Sequence, residues 1–570
     1  MVPSPLLRRL LPFLTWFPKI SRESLRVDAL AGLTVALVAI PQSLAYAQLA
    51  GLPAFYGLYA ALVPTMIGAL FGSSAQLSTG PVALTSLLTA ASITMLATPG
   101  SDQYIAYAVT VALLSGMFQL AFGVMRLGVL MNLLSHPVLM GFVNAAAILI
   151  TLSQIPALIG ASPPATGHII SDAWYVLADA SHAHTRSILF GVSALVLLIA
   201  FRRYAPKWPG VLITAGLLTA ASFWTGFAEQ GGRVVGDIPA GLPEISLPPF
   251  ELDTWIRLLP ASFVVAVISF MEAMSSAKIA AIKTASRWDQ NQELIGQGLA
   301  KIAAAMCHTL PVSGSFSRSA LNLAANARTG VSSIVCALCV LVTVLFLTPL
   351  LKYLPQPVLA AIIIMALSNL INVASLRTAW RASRDDALAA VLTFAATLAF
   401  APQIQNGIFT GILVSLALFI YRRMRPGMSV LSPTALRLNA QSLHGVPSAK
   451  LRDAVGVVRF DASLVFVNVS FFENAVLRLE QECPGLRFVL VSCGAINRLD
   501  ASGVQMLAGL VEELRKKGII VVFSAVKPYV MSVLDRTALS AKIGPENFFP
   551  SEAQAMAGLA LRLEAPDTPP

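Results

Sequence analysis

The stretch PVSGSFSRSALN, residues 311–322, places one arginine, Arg318, among glycine and hydroxyl residues on a chain of long apolar runs. An arginine at the centre of a bilayer costs at least ~2.5 kcal/mol, and such side chains usually face a polar cavity. The stretch therefore predicts a helix that starts inside the membrane with Arg318 in its first turn. The alternative is an arginine that extends to the membrane surface from a differently placed span.

A second stretch of this kind, STGPVA at residues 78–83, opens an apolar run that ends near Ala97. Helices that follow the two stretches would be roughly 20–25 Å long, shorter than the ~30 Å hydrocarbon core, so each would begin partway through the membrane. Pro81 suits the first helical position. Because a helix N-terminus carries free N–H groups and a partial positive charge, two such ends predict an anion site, to which Arg318 adds a full charge.

The composition predicts a polytopic helical membrane protein. Of 570 residues, 56% are hydrophobic and 12% are charged, against about 25% charged in a globular protein. Apolar segments fill the chain from Val27 to Tyr421 and form two sets of seven. The first set is 28–50, 54–72, 80–97, 104–124, 137–159, 186–203 and 209–228, and the second is 256–280, 292–309, 316–328, 330–350, 356–374, 385–401 and 405–421.

The distribution of charge predicts the orientation of these spans. The net charge is +11, and basic residues cluster in alternate gaps, at 8–26, 126, 202–207, 278–287, 377–384 and 422–425. The intervening gaps are acidic, which by the positive-inside rule places both termini in the cytoplasm of a cell-membrane protein. The basic residues are spread over these gaps rather than grouped in one patch, so nucleic acid is not an expected partner.

An odd-numbered set of spans that occurs twice must be inverted in its second copy. Inverted repeats are typical of secondary transporters, whose substrate site lies near the bilayer midplane where the repeats meet. The two Gly/Pro-interrupted stretches open the third span of each set, at matching positions. The sequence therefore predicts one anion site at which both stretches take part.

Three more polar residues within predicted spans are candidate site residues. Gln42 and Tyr46, in IPQSLAYAQ, are one helical turn apart and share a face; they either line the site or pack against a neighbouring helix. Glu272, in SFMEAMSSAK, is read as the remaining intramembrane charge and as a coupling residue. With Arg318 and two helix ends contributing about +2, a divalent anion balances the site only if Glu272 takes a proton. A structural ion pair of Glu272 with Arg318 or Lys278 is the alternative.

From about Arg437 the pattern changes to short strands alternating with helices, which predicts a small soluble α/β domain. The predicted strands are 455–460, 464–468, 487–493 and 519–525, and the predicted helices include 470–482 and 502–518. The expected organisation is a cytoplasmic N-terminal segment (1–26), a transmembrane domain (27–424), this α/β domain (437–560) and a flexible tail (561–570).

Four stretches of the membrane region carry a family resemblance. They are AGLTVALVAIPQSLAYAQLAGLPAFYGLYAALVPTMIGALFGSS (31–74), STGPVALTSLL (78–88), SFMEAMSSAK around Glu272, and VSGSFSRSALN (312–322). Together they resemble the sulfate permease (SulP) family of anion transporters. The resemblance implies a 7+7 inverted-repeat fold in which a core domain moves against a gate domain, usually as a homodimer. It places the anion among Gln42, Tyr46, Gly80, Pro81, Val82, Ser315, Phe316, Ser317 and Arg318, with Glu272 as the coupling residue.

The C-terminal domain resembles the STAS domain (sulfate transporter and anti-sigma factor antagonist) through NRLDASGVQML, residues 497–507. Stand-alone anti-sigma antagonists carry a phosphorylated serine directly after the aspartate, where this chain has Ala501. Ser502 remains available, either as a phosphorylation site or as the N-cap of the following helix. The resemblance implies a domain that binds an unidentified cytoplasmic partner or supports a dimer.

The sequence predicts a secondary active anion transporter and not an enzyme. Sulfate is the expected substrate, with a proton rather than sodium as the coupling ion and an elevator or rocking alternating-access mechanism. A bicarbonate or C4-dicarboxylate transporter, an anion exchanger and a passive anion channel are the alternatives. No cofactor is expected. His182 and His184 form an isolated HxH that predicts solvated surface rather than a metal site, and Cys336 and Cys339 are expected to be core residues.

Overall fold

The computed structural model describes residues 11–128, 135–161, 171, 175–176, 184–206, 208–239, 241–246, 250–368, 371–431 and 454–564. The chain forms two compact units, Met1–Ser415 and Leu416–Pro570. His182 of the HxH motif lies outside the described residues.

The first half of the N-terminal unit is helical at every predicted span. Its helices are α1 (Arg22–Leu49), α2 (Phe55–Ala60), α3 (Val63–Phe71), α4 (Ala83–Ile93), α5 (Asp102–Val124), α6 (His136–Ile159), α7 (Thr185–Tyr204) and α8 (Gly210–Trp224). The second predicted span is divided into α2 and α3, and Pro64 at the start of α3 suits this break. The third span is α4, with 11 residues.

The second half repeats this order of elements. Its helices are α9 (Leu252–Thr284), α10 (Gln290–Met306), α11 (Phe316–Ala324), α12 (Val331–Val342), α13 (Gln356–Leu367), α14 (Val373–Ala382), α15 (Arg384–Ala399) and α16 (Ile404–Met424). α12 continues through a π-helical segment and a further turn to Leu351. α14 has no counterpart among the predicted spans and has no buried residue. Seven helices within the described residues are long and apolar enough to cross a membrane.

Two short strands join the repeats at the point where α4 and α11 begin. β1 (Ser78–Gly80) pairs antiparallel with β2 (Ser313–Ser315), and Thr79 lies opposite Gly314. α4 and α11 are about 16 Å and 14 Å long at 1.5 Å per residue, even shorter than the sequence predicts. Because the strands are antiparallel, the two helices leave the pair in opposite directions.

Close helix packing surrounds the strand pair. α5 and α10 approach through Gly116 and Gly298: a Cβ atom added to either glycine would lie 2.9 Å from the carbonyl oxygen of the other. Such an approach excludes any larger residue at both positions. One turn further along each helix, Gln119 of α5 and Lys301 of α10 are thereby brought together.

The C-terminal unit is a five-stranded mixed sheet covered by helices. The strands β3 (Met428–Leu431), β4 (Val455–Phe460), β5 (Phe488–Ser492), β6 (Ile520–Ser524) and β7 (Phe548–Phe549) follow one another in that order, with β3 antiparallel and the others parallel. The helices are α17 (Val469–Glu482), α18 (Ala501–Lys516), α19 (Pro528–Arg536), α20 (Leu539–Ile543) and α21 (Glu552–Glu564).

Alternating side chains of this sheet enter two cores. Val489 and Val491 face the core formed with α17, α18 and α19, whereas Phe488 and Leu490 face α21. Parallel strands covered on both faces have nearly continuous hydrophobic sequences, as β5 has from Phe488 to Val491. The N-cap of α18 is Asp500, whose carboxylate accepts a hydrogen bond from Gly503 N at 2.9 Å. The interpretation of Ser502 as the N-cap is therefore wrong, because the chain is already helical at Ala501.

Candidate anion-binding site

The candidate site is built on the β1–β2 pair. Ser78 N donates to Ser319 Oγ at 2.9 Å, and Ser313 Oγ donates to the carbonyl oxygen of Ser269 on α9 at 2.7 Å. Gly314 packs against α9 so closely that a Cβ atom on it would lie 2.8 Å from Cβ of Ala273. These contacts fix the backbone from which α4 and α11 begin.

Arg318 lies in the first turn of α11 and is 1% exposed. Ser315 is the N-cap of the helix, and its hydroxyl accepts from Arg318 N at 3.4 Å. The guanidinium crosses to the other repeat, where Nη1 donates to the carbonyl oxygen of Pro81 at 2.9 Å. Nη2 is buried and has no hydrogen-bond partner among the described residues. A buried donor without a partner is costly, and a bound anion would satisfy it.

Gly80 faces this free donor. A Cβ atom added to Gly80 would lie 2.9 Å from Nη2 of Arg318, so glycine leaves the space next to the guanidinium open. Val82 is the N-cap residue of α4 and is buried. The sequence predicts Pro81 at the first helical position. This prediction is wrong, because α4 begins two residues later, at Ala83. Pro81 instead contributes its carbonyl oxygen to hold Arg318.

Gln42 and Tyr46 are both buried on α1, one turn apart, next to Pro41 within the helix. Oε1 of Gln42 has no hydrogen-bond partner in the described part of the chain. The Tyr46 hydroxyl interacts electrostatically with both Arg318 and Glu272. The structure thus brings residues from α1, α9 and α11 together around one point.

Glu272 lies on α9, and its Oε2 atom is buried without a hydrogen-bond partner among the described residues. It interacts electrostatically with Arg318 and with Lys301. In the described ranges it forms no salt bridge with Arg318 or with Lys278, and Lys278 is exposed. Oε2 therefore keeps unused hydrogen-bonding capacity beside two cationic side chains.

Lys301 is the residue that the sequence analysis missed. It is 0% exposed, and its Nζ donates to Oε1 of Gln119 at 2.9 Å. Gln119 Nε2 in turn donates to the carbonyl oxygen of Ala266 and to Ser269 Oγ. The signal was present, because GLAKIAAAM places a lysine in the middle of the predicted span 292–309. Since Lys301 adds a positive charge, the charge balance derived from the sequence is incomplete.

Two predicted site residues differ from the others in exposure. Phe316 and Ser317, the first residues of α11, are exposed, whereas Ser315 is buried. Ser317 Oγ lies 3.4 Å from Ser315 Oγ. Phe316 and Ser319 line a cavity of about 1110 Å³, which also borders Ser276 of α9. Farther along α9 and just beyond it, Lys283 and Arg287 line the same cavity.

Two short helices that start beside a buried arginine and run in opposite directions are the arrangement expected of an inverted-repeat membrane transporter for anions. The sulfate permease family model matches residues 25–393, and the STAS domain model matches residues 446–555. The chain belongs to the sulfate permease family and carries a C-terminal STAS domain.

Relatives of similar length carry sulfate transporter names. A probable sulfate transporter 4.2 of Arabidopsis thaliana is 34% identical over 540 residues, which are 92% of this chain and 79% of that protein. A probable sulfate transporter of Mycobacterium tuberculosis is 32% identical over 552 residues, covering 95% and 97% of the two chains. The family and these relatives are transporters rather than enzymes.

Solved structures agree with the predicted architecture. SLC26A9 superimposes with a TM-score of 0.87 at 22% identity, over 98% of this chain and 93% of that chain. The transmembrane domain of the cyanobacterial bicarbonate transporter BicA gives a TM-score of 0.60 at 26% identity, over 70% and 98% of the chains. The prediction of a polytopic helical transporter with an α/β STAS domain is confirmed.

Proposed function

We propose that this protein is a secondary active transporter that takes up sulfate together with a proton. The observation that carries the proposal is Nη2 of Arg318, which is buried opposite Gly80, next to the start of α11, and has no hydrogen-bond partner among the residues that the structure describes. An arginine offers a planar set of donors that suits an oxyanion. The helix N-termini add partial positive charge and free N–H groups.

Two observations support sulfate rather than another anion as the proposed substrate. The relatives that are 32–34% identical bear sulfate transporter names, and the charge balance of the site favours a divalent anion. Arg318 and Lys301 each contribute one positive charge, the two helix ends together add about one more, and ionised Glu272 removes one. The net charge of the site is therefore about +2. The resemblance to BicA makes bicarbonate the first alternative to test.

The charge balance derived from the sequence omitted Lys301 and no longer supports proton coupling. The proposal that Glu272 couples a proton is based instead on where its carboxylate lies. Its buried Oε2 has no donor in the described part of the chain, and a divalent anion bound beside Arg318 would add negative charge nearby. The anion would therefore favour a proton on Glu272, and a proton on Glu272 would favour the anion, which is the linkage that symport requires.

Alternating access would expose this site to each side of the membrane in turn. The cavity lined by Phe316, Lys283 and Arg287 would be the path to the cytoplasm, because those basic residues belong to a gap predicted to be inside. In the same proposal, the site residues belong to a core that moves by an elevator or rocking motion. The protein is a homodimer of the cell membrane with both termini in the cytoplasm. The STAS domain binds a cytoplasmic partner.

Radiolabelled sulfate uptake into proteoliposomes with an inward proton gradient tests the proposal. Wild type should accumulate sulfate above equilibrium, and Arg318→Ala should abolish uptake. Glu272→Gln should abolish the response to the proton gradient. Arg257→Gln is the matched control, because Arg257 is an exposed arginine paired with Asp253 on α9, and its uptake should equal that of wild type.

Other results would redirect the assignment. Accumulation of bicarbonate or a C4-dicarboxylate without sulfate would keep the site and change the substrate. Uptake that occurs only when the proteoliposomes already contain an anion to release would indicate an exchanger. Movement that never exceeds equilibrium, with a current down the gradient, would indicate a passive channel. Unchanged proton-driven uptake by Glu272→Gln would rule out Glu272 as the coupling residue.

A further inference from the structure

We propose that Lys301 is a specificity-determining residue that sets the charge of the anion accepted by the site. It would do so by offsetting the negative charge of Glu272, so that the positive charge of Arg318 and the helix ends remains available to a divalent anion. This inference rests on the proposed function, since it assumes an anion bound beside Arg318.

The ammonium group of Lys301 is buried away from water. It is fully buried on α10, and the close approach of Gly116 and Gly298 holds α10 against α5 one turn away. Its Nζ donates to Gln119, a neutral side chain. A buried cation is stable only when charge or hydrogen bonds compensate for its lost hydration. The compensating charge is Glu272, the single acid with which Lys301 interacts electrostatically in the described residues.

Within the described ranges, the ionisable groups that interact with Glu272 come from three neighbouring helices. Arg318 approaches from α11, Lys301 from α10 and Tyr46 from α1. Cys336 of α12 interacts with Arg318. The other buried acid of α10, Glu293, accepts from Ser73 N and Ser74 N and from the amide of Gln297, so its charge is compensated elsewhere.

The network of Lys301 also reaches the anion-binding backbone. Gln119 links Lys301 to Ser269 Oγ at 3.0 Å, and the Ser269 carbonyl oxygen accepts from Ser313 Oγ on β2 at 2.7 Å. Lys301 therefore acts on the site in two ways that must be separated. A purely structural role would depend on the shape of the side chain and its hydrogen bond, whereas the proposed role depends on charge.

Charge variants separate these roles. With Glu272 ionised the site carries about +2 in wild type, about +1 in Lys301→Gln, about +3 in Glu272→Gln and again about +2 in the double variant. The charge proposal therefore predicts that the second substitution restores what the first removes. A structural role predicts that the double variant is at least as impaired as Lys301→Gln.

The experiment measures equilibrium binding of radiolabelled sulfate to the purified full-length protein in lipid nanodiscs, with nitrate as a monovalent competitor. Lys301→Gln should weaken sulfate binding by about tenfold to a hundredfold, as expected for one unit charge at short range in a partly screened interior. Nitrate should lose much less affinity. Lys301→Arg, which keeps the charge, should retain the preference for sulfate.

The pH profile supplies a second readout. In Lys301→Gln, a proton on Glu272 restores the charge balance, so sulfate binding should strengthen on acidification more steeply than in wild type, by at most about tenfold per pH unit. The Glu272→Gln/Lys301→Gln double variant should bind sulfate as wild type does and show no such slope. Thermal unfolding of each variant checks that it is folded.

Equal loss of sulfate and nitrate binding in Lys301→Gln, or no recovery in a folded double variant, would overturn the inference and leave the proposed function intact. A wild type that binds nitrate but not sulfate would overturn both. If Lys301→Gln does not fold, the Glu272→Gln variant alone tests the inference. Its preference for sulfate over nitrate should be stronger than that of wild type, and an unchanged preference would overturn the inference. A failure of proton-driven uptake in wild type with these affinities intact would count only against coupling.

Discussion

Gly80 and Arg318 belong to opposite repeats, yet a Cβ atom on Gly80 would lie 2.9 Å from Nη2 of Arg318. The same guanidinium donates to the carbonyl oxygen of Pro81, the residue after Gly80. One repeat thus supplies the charge and the other supplies the backbone and the open space beside it. The candidate anion position depends on this division, because neither stretch alone combines a free donor with room for a ligand.

We expect Gly80→Ala to reduce sulfate uptake severely. The new methyl group would occupy the space next to Nη2 and force Arg318 away from the anion position. Gly216→Ala is a matched control, since a Cβ atom on Gly216 meets no described residue within 4 Å. Uptake by proteoliposomes, with protein amount and thermal stability determined for both variants, checks this. Wild-type uptake by a folded Gly80→Ala protein would contradict the placement of the anion.

Arg318→Lys should impair sulfate binding although the charge is retained. Lysine cannot both replace the Nη1 bond to Pro81 and present a second donor in the same plane. Loss of one charge-assisted hydrogen bond corresponds to about tenfold to a hundredfold in affinity. The measurement is the KM for sulfate uptake. An unchanged KM would show that charge alone is required at this position.

Asp28 should contribute strongly to the stability of the membrane unit. Its buried carboxylate on α1 accepts from Arg328 N at 2.6 Å and from both N and Oγ1 of Thr329, just before α12. Asp28→Ala leaves the two buried donors of Thr329 without partners, at a cost of roughly 1–3 kcal/mol for each. The thermal unfolding midpoint of the purified protein should fall clearly.

Asp253→Ala is the control for that experiment. Asp253 pairs with Arg257 one turn away, and the two side chains are 78% and 65% exposed. Exposed pairs of this spacing contribute about 0.3–0.5 kcal/mol, so the midpoint should hardly move. Equal effects of the two substitutions would mean that the Asp28 contacts do not stabilise the fold.

The architecture was readable from the sequence because its signals are local and repeated. Apolar runs predicted the helices of the two repeats apart from α14, and the glycine- and serine-rich stretches before α4 and α11 marked their starts. The lengths of those two helices were overestimated, since apolar residues continue past Ile93 and Ala324 after the helices end. Helix termination depends on tertiary contacts that hydropathy does not contain.

The site was readable only in part, for a related physical reason. Arg318 and Glu272 stand out as charges in apolar runs, but so does Lys301, whose role depends on its neighbours. The contact between α5 and α10 that brings Gln119 to Lys301 is tertiary, and no spacing in either helix predicts it. The carbonyl oxygen of Pro81 was equally hidden, because only the β1–β2 register places it beside Arg318.

Cys493 offers a pH-dependent test of the STAS domain. The thiol is buried directly after β5, and burial raises the pKa of Cys493 from 9.0 to about 12. Because the folded-state value is raised, the contribution to stability is complete below about pH 9 and is lost as the pH rises from there toward 12. Wild type should therefore lose more of the stability of this domain at alkaline pH than Cys493→Ala, by at most about 1.4 kcal/mol per pH unit.

Pulse alkylation of the full-length protein across this pH range, followed by peptide mass spectrometry, measures the effect at the residue itself. Cys483 is partly exposed, although burial and the neighbouring Glu482 raise its pKa somewhat, so its labelling should accelerate steadily with pH. Cys493 should stay unlabelled until the domain opens, because its thiol is both inaccessible and protonated. Labelling of Cys493 in parallel with Cys483 at pH 8 would show that β5 and the following loop are open in the native protein.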